Sequence, residues 1–269
     1  MKIAFIGGGN MGEAIIRALL EKQLCQPADI SVSDISDDRR QYLQKQYGVT
    51  VTASNREAVS GSEVVVLAVK PQNINEVTNN LKGILKADQL VLSIAAGVRL
   101  SAISERTGHR KIVRAMPNTP AQIGLGISGW MATKEVTAKQ KSLVKKILGA
   151  MGKEIYFEDE GSLDMVTAIS GSGPAYFYLF AEALIDGAVE LGLNRADAEA
   201  LVKQTMLGAA HLVDKSGETP AELRRNVTSK GGTTERAIAV FEENDFAGIV
   251  GKAVKAAYQR AKELGGAKS

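Results

Sequence analysis

Two stretches carry residue types suited to chemistry. The first is Ile3-Ala4-Phe5-Ile6-Gly7-Gly8-Gly9-Asn10-Met11-Gly12-Glu13-Ala14-Ile15-Ile16, in which four apolar residues run into Gly7-x-Gly9-x-x-Gly12 and the apolar spacing then turns helical at Ala14, Ile15, Ala18 and Leu19. A strand, a tight turn and a helix are predicted. In such a unit Gly7 permits the sharp turn, Gly9 leaves the backbone bare for a pyrophosphate, and Gly12 lets helix and strand pack closely. The helix N-terminus then faces the phosphates with free N–H groups. An acid, Asp34, closes the next apolar segment about 20 residues on, where the dinucleotide fingerprint expects a group for the ribose. The competing reading is a Gly-rich turn of purely structural purpose; the strand before, the helix after and Asp34 favour a dinucleotide.

The second stretch is Asn226-Val227-Thr228-Ser229-Lys230-Gly231-Gly232-Thr233-Thr234-Glu235-Arg236-Ala237. Two hydroxyl residues, a glycine pair and two more hydroxyls stand immediately before a predicted helix. The glycines expose backbone N–H groups and the helix N-terminus adds partial positive charge, so a small carboxylate can be held without an Arg. Thr234 adds a hydroxyl that both donates and accepts. The alternative is an elaborate N-cap, which needs fewer hydroxyls than stand here.

Elements that position these stretches follow from spacing. Strands are predicted at 3–6, 29–33, 49–51, 64–69, 90–94, 111–115, 127–131 and 153–157, alternating with helices at 39–47, 55–60, 74–85, 100–107 and 137–148. This is a doubly wound α/β sheet of Rossmann type, covered on both faces. Its ligands bind at the carboxyl ends of the strands, where four loops fall: 7–12, 34–40, 68–71 and 95–97. Asn118, between Pro117 and Pro120, is either part of a rigid loop or a group that presents its amide to a nicotinamide. Past the acidic run at 158–161 the strand signals end, and helical spacing fills 163–169, 176–191, 196–213, 221–226, 234–243 and 246–264. The expectation is a dinucleotide-binding domain over 1–159 and an all-helical domain over 160–269. Helices there are apolar on more than one face, notably around Phe177, Leu179, Phe180, Leu184 and Ile185, which points to coverage by a second subunit.

Bulk properties narrow the class. Among 269 residues, 33 basic and 30 acidic side chains leave a net charge of +3 without a block of one sign, so no nucleic-acid surface is expected. The densest basic run, 139–146, alternates with apolar residues as a solvated helix face does. Cys25 is the only cysteine, which excludes an internal disulfide and fits a reducing cytosol. The glycines of the first turn break any signal-peptide core, and the longest apolar run, 64–69, is far below the ~18 residues of a membrane span. A cytoplasmic protein is expected. His109 and His211 lie at no ligand spacing from each other or from Cys25, so no metal site is expected and both histidines read as structural.

The chain resembles the pyrroline-5-carboxylate reductase family along essentially its whole length, on FIGGGNMGEAI at its start, LAVKPQ at 67–72, SIAAGV at 93–98, RAMPNTP at 114–120, ISGSGPAY at 169–176 and VTSKGGTTERAI at 227–238. The resemblance implies reduction of L-1-pyrroline-5-carboxylate to L-proline by NADPH or NADH. Carried over by position, Gly7, Gly9, Asn10, Met11, Asn55, Ala68, Val69, Lys70, Pro71 and Ala96 become cofactor contacts, with Gly12 and Asp34 added by the fingerprint. Asn226 falls between cofactor and substrate. Ser229, Gly232, Thr233 and Thr234 become the substrate site, Thr234 facing the ring nitrogen, and Glu160 joins them on a weaker local match. The resemblance further implies helical domains that intertwine as a homodimer, or a higher assembly of dimers.

Two positions depart from the family pattern. Lys230 stands where Pro is common, and Asp34 stands where NADPH-preferring members often place a small hydroxyl residue. An Asp there suits a ribose 2′-hydroxyl, whereas Arg39 or Arg40 could accommodate a 2′-phosphate. A hydroxyacid dehydrogenase of the same two-domain plan would need a Lys on the first interdomain helix to supply a proton, and no Lys lies between Lys153 and Lys203. A non-catalytic NAD(P) sensor is disfavoured by the intact substrate-like loop.

Overall fold

Strands β1 (Ile3–Ile6), β2 (Ile30–Ser33), β3 (Thr50–Thr52), β4 (Val64–Leu67), β5 (Leu90–Ser93), β6 (Ile112–Met116), β7 (Gly126–Ala132) and β8 (Gly152–Tyr156) form one sheet in the order β3-β2-β1-β4-β5-β6-β7-β8. The structure is a computed structural model that describes residues 1–266. Strand β1 lies between two parallel neighbours, with Phe5 opposite Val32 and Val66. Alternation along it feeds both faces: Ile3 and Phe5 join one buried cluster with Ile15, Leu19 and Val32, while Ala4 and Ile6 join another with Val65, Leu67 and Val91. That double burial is why β1 and β4 read as unbroken apolar runs. Only β7 runs antiparallel to its neighbour β6.

The helices are α1 (Asn10–Glu21), α2 (Asp37–Tyr47), α3 (Asn55–Val59), α4 (Ile74–Asn80), α5 (Leu100–Thr107), α6 (Ala138–Gly149), α7 (Ser162–Val166), α8 (Gly173–Glu190), α9 (Arg195–Lys215), α10 (Pro220–Asn226), α11 (Thr233–Glu243) and α12 (Phe246–Leu264). Helix α4 stops well short of the expected residue 85, because the chain turns through Gly83 at φ 73°. The expected helix at 163–169 is α7 continued by a π-turn over Thr167–Gly171.

The chain packs into two compact units, Met1–Ser172 with the segment from Ala257 onward, and Gly173–Ala256. By packing, the change of unit falls after Ser172, because α7 is anchored in the first unit. Its Leu163 and Asp164 are buried, and Asp164 accepts from Arg99 and Arg114. His109 is also buried there, with Nε2 2.8 Å from the Gln89 carbonyl, and burial pushes its pKa down.

In the second unit α8 and α9 pack together, and Phe180, Phe241 and Phe246 cluster with ring centroids 5.3–6.4 Å apart. Among the described residues of this unit, Ala198 is the only hydrophobic side chain fully buried, whereas Phe177, Leu179, Leu201, Leu212 and Ile249 are exposed. No described helix is long and apolar enough to cross a membrane.

Candidate functional site

The carboxyl ends of β1, β2, β4 and β5 place four of the expected loops along one edge of the sheet. Gly7 turns sharply at φ 96°, its N–H donating to the Ser33 carbonyl at 2.8 Å, and a Cβ there would stand 2.8 Å from the Ala68 carbonyl oxygen. A Cβ on Gly12 would stand 2.8 Å from the Gly7 carbonyl oxygen, so Gly12 is what lets α1 close against the turn. A Cβ on Gly9 would meet nothing within 4 Å. The three glycines thus divide the work as the fingerprint requires: turn, close packing and an open face.

Helix α1 starts at Asn10 with Gly9 as its N-cap, and no side chain caps it. Its first N–H groups therefore point past Gly9 toward the open face, an arrangement that fits a pyrophosphate. Around this opening lie half-buried Met11, Ala68, Val69 and Ala96, with Asn10, Lys70 and Pro71 exposed. Asn55, at the start of α3, accepts from the Ser33 hydroxyl at 2.7 Å and so braces the β2 end from beneath. Asn118 is engaged in the fold: its Oδ1 accepts from the Ile127 N–H at 2.9 Å, as the rigid-loop reading requires.

Asp34 sits directly after β2 and holds the glycine loop. One carboxylate oxygen accepts from Gly8 N–H at 2.8 Å and the other from Ser36 N–H at 2.9 Å. Gly8, which lies between Gly7 and Gly9, is also closely packed, since a Cβ there would stand 2.4 Å from Leu43 Cδ1. Its signal in the sequence was only adjacency to Gly7 and Gly9. Glu13 was not legible as a site residue at all, because its partners Arg39, Tyr42 and Tyr47 are 26 to 34 positions away.

The hydroxyl-rich loop lies in the second unit. Gly231 takes φ 73°, Gly232 N–H donates to the Ser229 carbonyl at 3.0 Å, and α11 then opens at Thr233 with Gly232 as N-cap. A Cβ on Gly232 would stand 2.6 Å from Ser229 Oγ and 3.0 Å from the Ser229 carbonyl oxygen, so a side chain there would turn the Ser229 hydroxyl aside. No side chain caps α11, in contrast to α6 and α10, which both carry full capping boxes. The hydroxyls of this loop are therefore not an elaborate N-cap. Thr228 Oγ1 donates to the Arg224 carbonyl at 2.6 Å, but those of Ser229, Thr233 and Thr234 hold no hydrogen-bond partner among the described residues. Gly231 N–H donates to the Glu235 carboxylate at 2.7 Å, so its own donor is already engaged. Asn226, the last residue of α10, donates from Nδ2 to Glu218 at 2.9 Å.

Glu160 belongs to the first unit and already has partners. Its Oε1 accepts from the Leu100 N–H at 2.8 Å, capping α5, and from Arg114 Nη1 at 3.0 Å. It thereby joins an ion network with Arg114, Asp164 and Arg99.

Both parts of the chain match known proteins. Residues 160–264 match the family model described as pyrroline-5-carboxylate reductase dimerisation, and residues 2–97 match that of NADP oxidoreductase, coenzyme F420-dependent. The pyrroline-5-carboxylate reductase of Pseudomonas aeruginosa is 44% identical over 98% of this chain and 96% of its own length. A solved pyrroline-5-carboxylate reductase from Coxiella burnetii superposes with a TM-score of 0.91 at 41% identity, covering 100% of this chain and 99% of that one. The Plasmodium falciparum pyrroline carboxylate reductase, solved with NADP bound, gives 0.89 at 33% identity, with 98% of each chain covered. With this identity carried over nearly every residue of both units, the chain belongs to the pyrroline-5-carboxylate reductase family.

Proposed function

We propose that the chain reduces L-1-pyrroline-5-carboxylate to L-proline with NAD(P)H, the last step of proline synthesis. One observation carries the substrate half of this reading: α11 opens without a cap beside three unengaged hydroxyls, Ser229, Thr233 and Thr234. A cyclic imine acid needs an anion site for its carboxylate and a neutral hydrogen-bond partner for its nitrogen, and this loop offers both. The reduced nicotinamide supplies the hydride that the C=N carbon receives.

The protein's own part is binding and orientation. Gly7, Gly9, Asn10, Met11, Gly12, Asp34, Asn55, Ala68, Val69, Lys70, Pro71 and Ala96 form the cofactor site at the strand ends, and Asn226 stands between cofactor and substrate. The backbone N–H groups of Thr233 and Thr234, with the Ser229 and Thr233 hydroxyls and the close approach that Gly232 allows, take the carboxylate. Thr234 holds the ring nitrogen through its hydroxyl, a hydrogen-bond partner that needs no titration because a protonated imine is already electrophilic. For Glu160, the bonds to Leu100 and Arg114 favour a part in positioning α5 over contact with the substrate.

Residues 160–269 serve in this reading as the substrate-binding and dimerisation domain. The matched dimerisation model and the exposed Phe177, Leu179 and Leu201 support pairing with a second copy, as a homodimer or an assembly of dimers. A cytoplasmic location fits the single cysteine, Cys25.

Thr234→Val tests the assignment. Turnover, followed as loss of reduced-nicotinamide absorbance with the imine as substrate, should fall roughly 10- to 100-fold, the worth of a hydrogen bond to a charged group. Cofactor affinity should stay unchanged and Thr234→Ser should restore most of the rate. Full turnover in the Val variant would remove Thr234 from the mechanism.

A further inference from the structure

Which nicotinamide dinucleotide is preferred depends on what meets the ribose 2′ position beyond β2. Two cations stand there, Arg39 and Arg40, and either type of side chain could hold a 2′-phosphate. Both are engaged elsewhere. Arg39 donates from Nε to the Gly8 carbonyl at 2.5 Å and from Nη2 to Glu13 Oε2. Arg40 donates from Nη1 to the Asp34 carbonyl at 2.6 Å and from Nη2 to Asp37 at 2.9 Å. The Asp34 carboxylate, which takes the Gly8 and Ser36 N–H groups and has further lone pairs, repels a phosphate and accepts from a hydroxyl.

The hold on Arg39 is itself braced. Glu13 Oε1 accepts from Tyr47 Oη at 2.7 Å and from Tyr42 Oη at 3.0 Å, so Oε2 is presented to the guanidinium, whose Cζ also lies 4.9 Å from the Tyr42 ring centre. Burial raises the Glu13 pKa, but the bonds from Tyr47, Arg39 and Tyr42 outweigh it and hold the carboxyl below its ordinary value. Burial, and then the same contact, pushes the Tyr47 phenol up. The acid thus stays charged and the arginine stays paired.

We propose that Glu13 is a positioning residue for cofactor choice: it pins Arg39 against the Gly8 carbonyl, withholds that guanidinium from a 2′-phosphate, and leaves Asp34 to select the 2′-hydroxyl of NADH. This rests on the reading that the Gly7–Gly12 loop and Asp34 hold the cofactor.

The test compares wild type, Glu13→Gln, Arg39→Ala and the double variant of the full chain, measuring KM and kcat with each cofactor and Kd by reduced-nicotinamide fluorescence. Wild type should favour NADH. Glu13→Gln should lower the KM for NADPH about tenfold while NADH kinetics stay within about twofold, and the double variant should lose that gain. Should Glu13→Gln fail to fold, Tyr42→Phe with Tyr47→Phe loosens the same acid and should move NADPH in the same direction by a smaller factor. Equal changes for both cofactors, or none, would reduce Glu13 to a structural role. A wild-type preference for NADPH that Arg39→Ala abolishes would overturn the proposal outright. Gly9→Leu separates this from the underlying reading: a side chain at that open position should block both cofactors without harming the fold, and undiminished binding would mean that the loop is not the cofactor site.

Discussion

Replacing Asp164 with Ala should cost about 3–5 kcal/mol of folding free energy, seen as a lower urea midpoint with little change in slope. Arg114, on the inner strand β6, has a side chain only 2% exposed and meets Asp164, equally buried, at 3.1 Å and Glu160 at 3.0 Å. Arg99 adds a second guanidinium to Asp164 at 2.7 Å. Removing the acid strands a buried cation with one half-exposed partner, and desolvation of an unpaired charge dominates every other consequence. Asp164→Asn, which keeps an acceptor, should cost less. Arg114→Met combined with Asp164→Leu should recover much of the loss, since buried ion pairs are replaceable by apolar side chains of similar volume. A change below about 1 kcal/mol in the Ala variant would show that the network contributes little. The effect reaches the site as well, because Arg99 ends the loop that carries Ala96, and α7 holds that loop through Asp164.

Gly7→Ala is expected to remove both stability and cofactor binding. At φ 96° an L side chain is strained by about 1–2 kcal/mol, and the added Cβ would also press 2.8 Å from the Ala68 carbonyl oxygen and 2.9 Å from Val69 Cγ1. The backbone at Ala68 directly follows a strand buried on both faces, and its N–H is tied to the Ile6 carbonyl at 2.9 Å, so it has little room to retreat. A total loss of about 2–4 kcal/mol is expected by thermal melting, together with at least about a hundredfold weaker NADH binding as the loop is displaced. The comparison is Gly9→Ala, where φ is −65° and the Cβ has open space, so stability should hold within about 0.5 kcal/mol. Equal behaviour of the two variants would deny Gly7 its special place in the turn.

These two sites differ in how far they could be read in advance. Gly7, Gly9 and Gly12 were legible because a turn between strand and helix is a local event, decided within six residues by φ and by close approach. The hydroxyl-rich loop was legible for the same reason, though only the structure shows that its hydroxyls leave α11 uncapped. The sheet was legible because Val64 to Leu67 and Leu90 to Ser93 are apolar at every position or nearly so, as burial on both faces demands. Asp164 was not legible. It sits 50 positions from Arg114 and 65 from Arg99, in a stretch whose local pattern says only helix. Glu13 and Arg39 were hidden likewise, since their meeting depends on how α1 and α2 lie on the sheet. Glu160 was carried over on a weak match to the family, and its bonds to Leu100 and Arg114 were hidden because those partners lie 60 and 46 positions away.

The helical unit has a bearing on abundance. Between Gly173 and Ala256 only Ala198 is fully buried among its hydrophobic side chains, so this unit by itself forms almost no interior. On the proposal that a second copy covers those faces, folding of the unit and association are one equilibrium, and its stability grows with the logarithm of protein concentration. The melting temperature should climb when the protein is concentrated and fall on dilution; a transition independent of concentration would speak against it. A cell that makes little of this protein would then hold a smaller folded fraction of it as well as fewer molecules.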